Sequence, residues 1–160
     1  MKKLLLSLLC LTLLLSSAAF CEEEVDAVSS ASVSYYFDGI DGDELMEAIN
    51  SYTGFYAIAS VNPDGTPNIA FFIYGMVKLE DKYYVQLGIN PNQTSINIEK
   101  GSDLMAMYGK NPEAFPYASV GARMYLTLVT DEATLQALSA FSPAGFTPYY
   151  LEVTKTVPMG

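Results

Sequence analysis

The sequence of 160 residues contains no histidine and no tryptophan, and it has only two cysteines. The lack of histidine excludes Ser-His-Asp and Cys-His catalysis, histidine-ligated haem and the most common protein ligand of transition metals. Any proton transfer must therefore use Asp, Glu, Tyr, Lys or water. We predict no metal site, and no catalytic residue stands out.

The first 21 residues predict a secretory signal peptide. A basic start at Lys2 and Lys3 precedes an apolar stretch over residues 4–15 and four small residues at 16–19. The stretch is too short for a comfortable transmembrane span, and the pattern predicts export from a bacterial cell to the periplasm or the medium. Two alternatives stay open: cleavage before Phe20, or lipidation of Cys21 as in a bacterial lipoprotein. Only the second would hold the protein at a membrane.

Basic residues are scarce. Two of the eight basic residues, Lys2 and Lys3, lie in the predicted signal peptide. The rest of the chain therefore has six basic and eighteen acidic residues, a net charge of about −12. Such a chain repels nucleic acids and anionic membrane surfaces. Cys10 also lies in the leader, so the exported chain has at most one cysteine and no intrachain disulfide. We expect a domain that is held by its core alone.

Residues 22–40 are acidic and then rich in Ser, Ala and Val, which predicts a flexible tether before a domain over residues 41–160. Alternating apolar residues and turn signals predict six strands there, at 55–61, 68–79, 82–89, 103–108, 119–130 and 149–157. Three helices are predicted at 44–52, 94–100 and 131–140. Their predicted caps are Asp41 with Glu44, Thr94, and Thr130 or Asp131. The pattern indicates a mainly β (α+β) fold, a small antiparallel barrel with short flanking helices.

One predicted strand contains a run, Ile69-Ala70-Phe71-Phe72-Ile73-Tyr74, that is apolar on both faces. A strand with one face in water should alternate apolar and polar residues. Two explanations stay open. Either the strand belongs to a closed barrel that is packed on its outside, or a ligand or a second subunit covers one face.

The order of these parts resembles the pyridoxamine 5′-phosphate oxidase-like FMN-binding split barrels. The resemblance spans roughly residues 41–160 and rests on the hairpin FYAIASVNPDGTPNIAFFIYG and on the segment QTSINI at 93–98. That segment is similar to the family's stretch that opens a helix beside the flavin phosphate. The resemblance implies a six-stranded antiparallel split β-barrel, FMN as cofactor, and a homodimer with the flavin in the groove between the subunits.

The same resemblance implies a set of cofactor-binding residues: Gln93, Thr94, Ser95, Asn97, Phe72 and Arg123. The first four open the helix, where unpaired N–H groups and a partial positive charge suit a phosphate. Phe72 would lie in the core, at the interface or against the ring, and Arg123 would contact the ligand. This chain has Ile96 where the family usually has a basic residue, and the nearest cations are Lys100, Lys110 and Arg123.

Two functions therefore remain open. The first is an exported FMN-binding protein that resembles the family's oxidoreductases, with FMN-dependent oxidoreductase activity as the candidate reaction and an unknown small-molecule substrate. Pyridoxamine phosphate is disfavoured, since six basic residues provide poorly for two phosphates in one site. The alternative is a non-catalytic exported split barrel that binds a small molecule and has lost the cofactor. Ile96 favours the alternative, and so does the need to capture FMN outside the cytoplasm.

Overall fold

The computed structural model describes residues 37–52, 54–110 and 119–158. The predicted signal peptide, the predicted tether up to residue 36 and residues 111–118 lie outside these ranges. The described elements, in chain order, are β1 (Phe37–Gly39), α1 (Gly42–Ser51), β2 (Tyr56–Val61), β3 (Pro67–Phe72), β4 (Tyr74–Leu79), β5 (Lys82–Leu87), α2 (Gln93–Glu99), β6 (Leu104–Lys110), β7 (Ser119–Leu128), α3 (Glu132–Ser139) and β8 (Tyr149–Val157). None of these helices is both long and apolar enough to cross a membrane.

The strands form one curled sheet in the order β3-β2-β6-β7-β8-β5-β4. All neighbours in this order are antiparallel, and β1 pairs in parallel with the start of β7. β3 and β4 end the sheet on opposite sides, yet only Ile73 separates them in the chain. Since one residue spans less than about 4 Å, the two ends must lie close together. The result is a barrel that is split between β3 and β4, so the mainly β split-barrel prediction is confirmed.

The count of six strands is wrong, because the predicted strand 68–79 is two strands. Residues up to Phe72 pair with β2, and residues from Tyr74 pair with β5. The apolar pattern runs through the break, so periodicity alone could not reveal it. β1 adds a further short strand, and it lies within residues 22–40, where a tether is predicted.

The core lies on the inner side of the barrel. Its buried side chains come from alternate positions of the strands, such as Ile58, Met124 and Leu126, and from Leu45 and Ile49 of α1. This alternation places Val120, Ala122, Met124, Leu126 and Leu128 of β7 on the inner side, and Arg123, Tyr125 and Thr127 on the outer side.

Helix α1 also protects the edge of β4. The side-chain amide of Asn50 donates to the carbonyl of Met76 at 2.8 Å and accepts from its N–H at 2.8 Å. Lys78 of β4 forms an ion pair with Asp43 of α1 at 2.9 Å. The Asn50 amide therefore supplies the two backbone hydrogen bonds that a neighbouring strand would give to Met76 at this edge.

Local sequence signals account for the turns more fully than for the N-caps of the helices. Gly65 has φ +82° in the turn after β2, and Gly101 has φ +71° after α2, as glycine permits. Asp131 caps α3 as predicted, accepting from the N–H of Thr134. The cap of α2 is Asn92, which forms a capping box with Ser95, and not Thr94. Asp41 precedes α1 without a side-chain cap bond, and that helix begins at Gly42.

Candidate functional site

The outer side of the sheet is divided into two halves. Helix α3 packs against β4, β5 and β8, with Leu138 buried between Tyr84 and Tyr150. No described element packs in this way against the outer side of β3, β2, β6 and β7. We use the name open face for the outward side of these four strands and of the residues that flank them; its side chains include Phe55, Ala57, Ala59, Val61, Ile69, Phe71, Ile73, Met105, Met107, Arg123 and Tyr125.

The open face is apolar over β3, β2 and β6. Ile69, Phe71 and Ile73 are 66, 70 and 67% exposed, and Phe55 beside them is 68% exposed. Met105 and Met107 continue the surface on β6, opposite the small residues Ala59 and Ala57 on β2. A contiguous exposed apolar patch of this kind marks a surface for a ligand or a partner. The apolar run at 69–74 thus has an inner side that is half-buried at Ala70 and Phe72 and buried at Tyr74, and an outer side that is exposed.

The face becomes cationic at its β7 side. Arg123 pairs with Val157 and Tyr125 pairs with Lys155 across the β7–β8 ladder, so both cations lie on the outer side. The Arg123 Nε donates to the carbonyl of Pro158 at 3.1 Å. The Lys155 Nζ lies 5.5 Å from the centre of the Tyr125 ring.

The predicted phosphate-binding residues of α2 form an inward network. Asn97 is 1% exposed; its side-chain amide donates to Ser60 Oγ and Asn62 Oδ1, each at 2.9 Å. The same side chain accepts from Gln93 Nε2 at 2.8 Å. Asn68 donates to Thr94 Oγ1 and Ser60 Oγ, each at 3.0 Å. The network therefore fastens α2 to the ends of β2 and β3.

The structure brings some of the predicted residues together and separates others. Thr94 and Ser95 are buried like Asn97, and Gln93 is exposed. Phe72 lies on the inner side of β3, half-buried against the core, whereas its neighbour Phe71 faces outward. Arg123 lies on the side of the sheet opposite to the network. Ile96, at the usual basic position, is 43% exposed.

Sequence reasoning missed Ser60, Asn62 and Asn68 in the network and Lys155 on β8 beside the open face. Ser60 and Asn68 each occupy an inward position of a predicted strand, where a polar residue signals a hydrogen-bonded partner. Lys155 could have been paired with Arg123 only if the β7–β8 register were known. A cleft of about 420 Å³ lies beside α2, with Asn97 and Lys100 in its wall, but no aromatic residue lines it.

The inner barrel contains a group of tyrosines whose chemistry is constrained by burial. The rings of Tyr56 and Tyr74 lie 4.5 Å apart, and Tyr52 and Tyr108 adjoin Tyr56. Burial raises the pKa of Tyr56 to about 12 and raises the pKa of Tyr74 further above its usual value. These hydroxyls are therefore poor proton donors to a substrate at neutral pH. In the ranges that the structure describes, no group of three His, Cys, Asp or Glu side chains could hold a metal ion.

The fold is shared with solved structures of low sequence identity. An FMN-binding protein from Syntrophomonas wolfei subsp. wolfei has a TM-score of 0.51 at 18% identity, over 73% of this chain and 87% of that chain. HupZ from Group A Streptococcus has a TM-score of 0.51 at 22% identity, over 75% and 94%. A candidate pyridoxamine 5′-phosphate oxidase from Lactobacillus delbrueckii has a TM-score of 0.49 at 15% identity, over 74% and 91%.

No protein-family model matches the chain, and no curated protein matches it. At these identities the structural likeness shows the fold alone. That shared fold is a split barrel, as the resemblance implies.

Proposed function

We propose that this protein binds FMN on its open face. The observation that carries the proposal is the surface itself: exposed apolar side chains around Phe71, followed by the cations Arg123 and Lys155. A flavin needs flat apolar cover for its ring and positive charge for its phosphate. The shared fold with a protein described as FMN-binding supports the same reading.

The side chains on the open face fit the ring of FMN better than the cleft beside α2 does. Phe71, Met105 and Met107 provide aromatic and polarizable contacts, whereas no aromatic residue lines that cleft. Ala57 lies between Phe71 on β3 and Met107 on β6 and leaves room for a planar group over the sheet. The assignment of Gln93, Thr94, Ser95 and Asn97 to the phosphate stays a prediction.

We also propose that a second copy of the chain covers the open face, so that the ligand lies in the groove between two subunits. Four large apolar side chains more than 60% exposed, Phe55, Ile69, Phe71 and Ile73, would otherwise face water. Burying each of them is worth about 1.5–3 kcal/mol. A homodimer therefore accounts for an apolar run that the single barrel does not bury.

Bound FMN would supply electron or hydride transfer. The chain's own contribution would be to hold the ring against Phe71 and the methionines and to keep water from it. The buried tyrosines are poor proton donors, so we assign no acid or base, and oxidoreductase activity toward a small molecule remains the candidate reaction.

One observation favours the alternative of a small-molecule-binding barrel without FMN. The side chains of Thr94, Ser95 and Asn97 already have protein partners, and Ile96 supplies no charge. If the phosphate needed these groups, FMN would bind weakly, and the open face would accept an apolar ligand instead.

The test is a visible absorption spectrum of the purified protein before and after FMN is added and the sample is desalted. Retained flavin absorbance at about one FMN per subunit would support the proposal. A colourless protein after desalting would overturn it and favour the alternative.

A further inference from the structure

Two methionines lie near the middle of the open face. Met105 and Met107 are two residues apart on β6, so both point outward, and their neighbours across the ladder on β2 are Ala59 and Ala57. Because alanine has no side chain beyond Cβ, it leaves the flexible methionine side chains uncovered on that side. Both methionines are half-buried, and no described element packs over them.

The other methionines of the described ranges lie in more protected places. Met76 and Met124 are 3% and 0% exposed in the barrel core, and Met46 of α1 packs against the same core. The sequence has no histidine and no tryptophan, and both cysteines precede residue 22. Within residues 37–52, 54–110 and 119–158, methionine is therefore the side chain that a peroxide oxidises most readily, and the two on the open face are the accessible ones.

Hydrogen peroxide converts the thioether of a methionine into a sulfoxide. The sulfur donates an electron pair to one peroxide oxygen, and the S–O bond forms as the O–O bond breaks. The other oxygen takes the proton of the transferred oxygen and leaves as water, so the sulfur is oxidised and the peroxide is reduced by two electrons. The product carries a polar S=O group, which loses its hydration when it is buried in an apolar contact.

We propose that Met105 and Met107 are a peroxide-sensitive modification site that controls assembly through the open face. The inference rests on the proposed function, in which a second copy of the chain covers this face. Oxidation acts on the separated subunit, because the dimer covers both sulfur atoms. The sulfoxides then oppose reassembly, since two polar groups replace apolar ones near the middle of the contact. Methionine sulfoxide reductases reverse the change.

The first test is the oxidation rate of each methionine, measured by peptide mass spectrometry after brief peroxide treatment of the folded protein. In dilute solution, Met105 and Met107 should be oxidised at least about tenfold faster than Met76 and Met124. In concentrated solution, where the dimer forms, the rates of Met105 and Met107 should fall and the rate of Met46 should not. Equal rates at the open face and in the core, or rates that ignore protein concentration, would overturn the inference.

The second test is sedimentation equilibrium before and after peroxide treatment. Oxidation should raise the Kd of the dimer at least about tenfold, and methionine sulfoxide reductase should restore it. In a variant with both Met105→Leu and Met107→Leu, peroxide should leave the Kd of that variant unchanged, because leucine has a similar apolar volume and no sulfur. Met46→Leu is the matched control: it removes a methionine away from the open face, and its dimer should stay sensitive to peroxide.

The outcomes separate this inference from the proposed function. If the double variant stayed sensitive to peroxide, another side chain would be responsible, and the inference would fail while the assembly stood. If the untreated protein were monomeric at every concentration, the proposed assembly would fail, and its control by oxidation would fail with it. Faster oxidation of Met105 and Met107 in that monomer would support the modification site alone.

Discussion

Two buried tyrosines in the barrel differ by a single hydrogen bond. The hydroxyl of Tyr56 donates to the carbonyl of Ile49 at 2.7 Å. The hydroxyl of Tyr74 is buried and has no hydrogen-bond partner among the described residues. An unpaired buried hydroxyl loses its hydration without compensation, so the two side chains should respond in opposite directions to the same substitution.

We expect Tyr74→Phe to stabilise the protein by up to about 1 kcal/mol, because it removes a polar atom that is buried without a partner. Tyr56→Phe is the matched control and should destabilise by about 1 kcal/mol, since it breaks the bond to Ile49. Urea unfolding monitored by circular dichroism measures both. Equal destabilisation by the two variants would mean that Tyr74 has a partner, such as a bound water molecule.

The same tyrosines predict how stability depends on alkaline pH. Burial raises the pKa of Tyr56 from 10.0 to about 12, and the pKa values of Tyr74, Tyr84 and Tyr108 are also raised by burial. Between these values the folded state binds more protons than the unfolded state, so the free energy of unfolding falls as pH rises. The contribution of these raised pKa values to the free energy of unfolding should be fully present below pH 10 and should decline toward pH 12.

Urea unfolding at a series of pH values, with tyrosinate absorbance recorded in parallel, tests this dependence. Tyrosinate absorbance from the buried rings should appear together with unfolding. Ionisation of all the tyrosines in a protein that remains folded and equally stable would contradict the prediction.

At the scale of elements, the polar network decides where α2 lies. Asn97 and Asn68 are joined to Ser60 and Thr94 by bonds of 2.9–3.0 Å, which fasten the helix to β2 and β3. These bonds hold α2 at the end of the strands that carry the apolar part of the open face. The helix thus supports the ends of β2 and β3 from the inner side of the barrel.

We expect Asn97→Ala to destabilise the protein by about 2 kcal/mol, because Ser60 and Asn62 would lose a buried donor. Lys100→Ala is the control, because Lys100 is exposed at the end of the same helix and outside the network, and it should cost less than about 0.5 kcal/mol. Thermal or urea unfolding measures the difference, and FMN titration of both variants shows whether the effect is structural. If Asn97→Ala left stability unchanged and abolished FMN binding, Asn97 would be a ligand contact, as the resemblance implies.

At the scale of the whole molecule, the open face should control assembly. Sedimentation equilibrium of the purified protein should give twice the monomer mass. Phe71→Ser should weaken the dimer at least about tenfold, since exposed aromatic residues carry much of the binding energy of an interface. Phe141→Ser removes an exposed phenylalanine 47% accessible and should leave the dimer intact. A monomeric protein, or equal effects of the two variants, would contradict this assembly.

Local patterns determined most of the elements. Residues 149–157 form the predicted last strand without change, and Asp131 has its predicted role as the cap of α3. Such signals are read over a few residues, because strand alternation and turn conformation depend on neighbours in the chain. The order of the strands and helices in the sequence was also sufficient to recognise the resemblance to split barrels.

Tertiary structure decided what local patterns leave open. Three features depend on which strands pair: the break at Ile73, the outward direction of Phe71, and the hydrogen bond from Asn97 to Ser60. The paired residues of β2 and β6, for example, are more than forty residues apart in the chain. Pairing over such separations is set by the whole sheet, so no local window contains it. For the same reason, the sequence determined that Arg123 and Lys155 are among few cations, and the β7–β8 register placed them side by side.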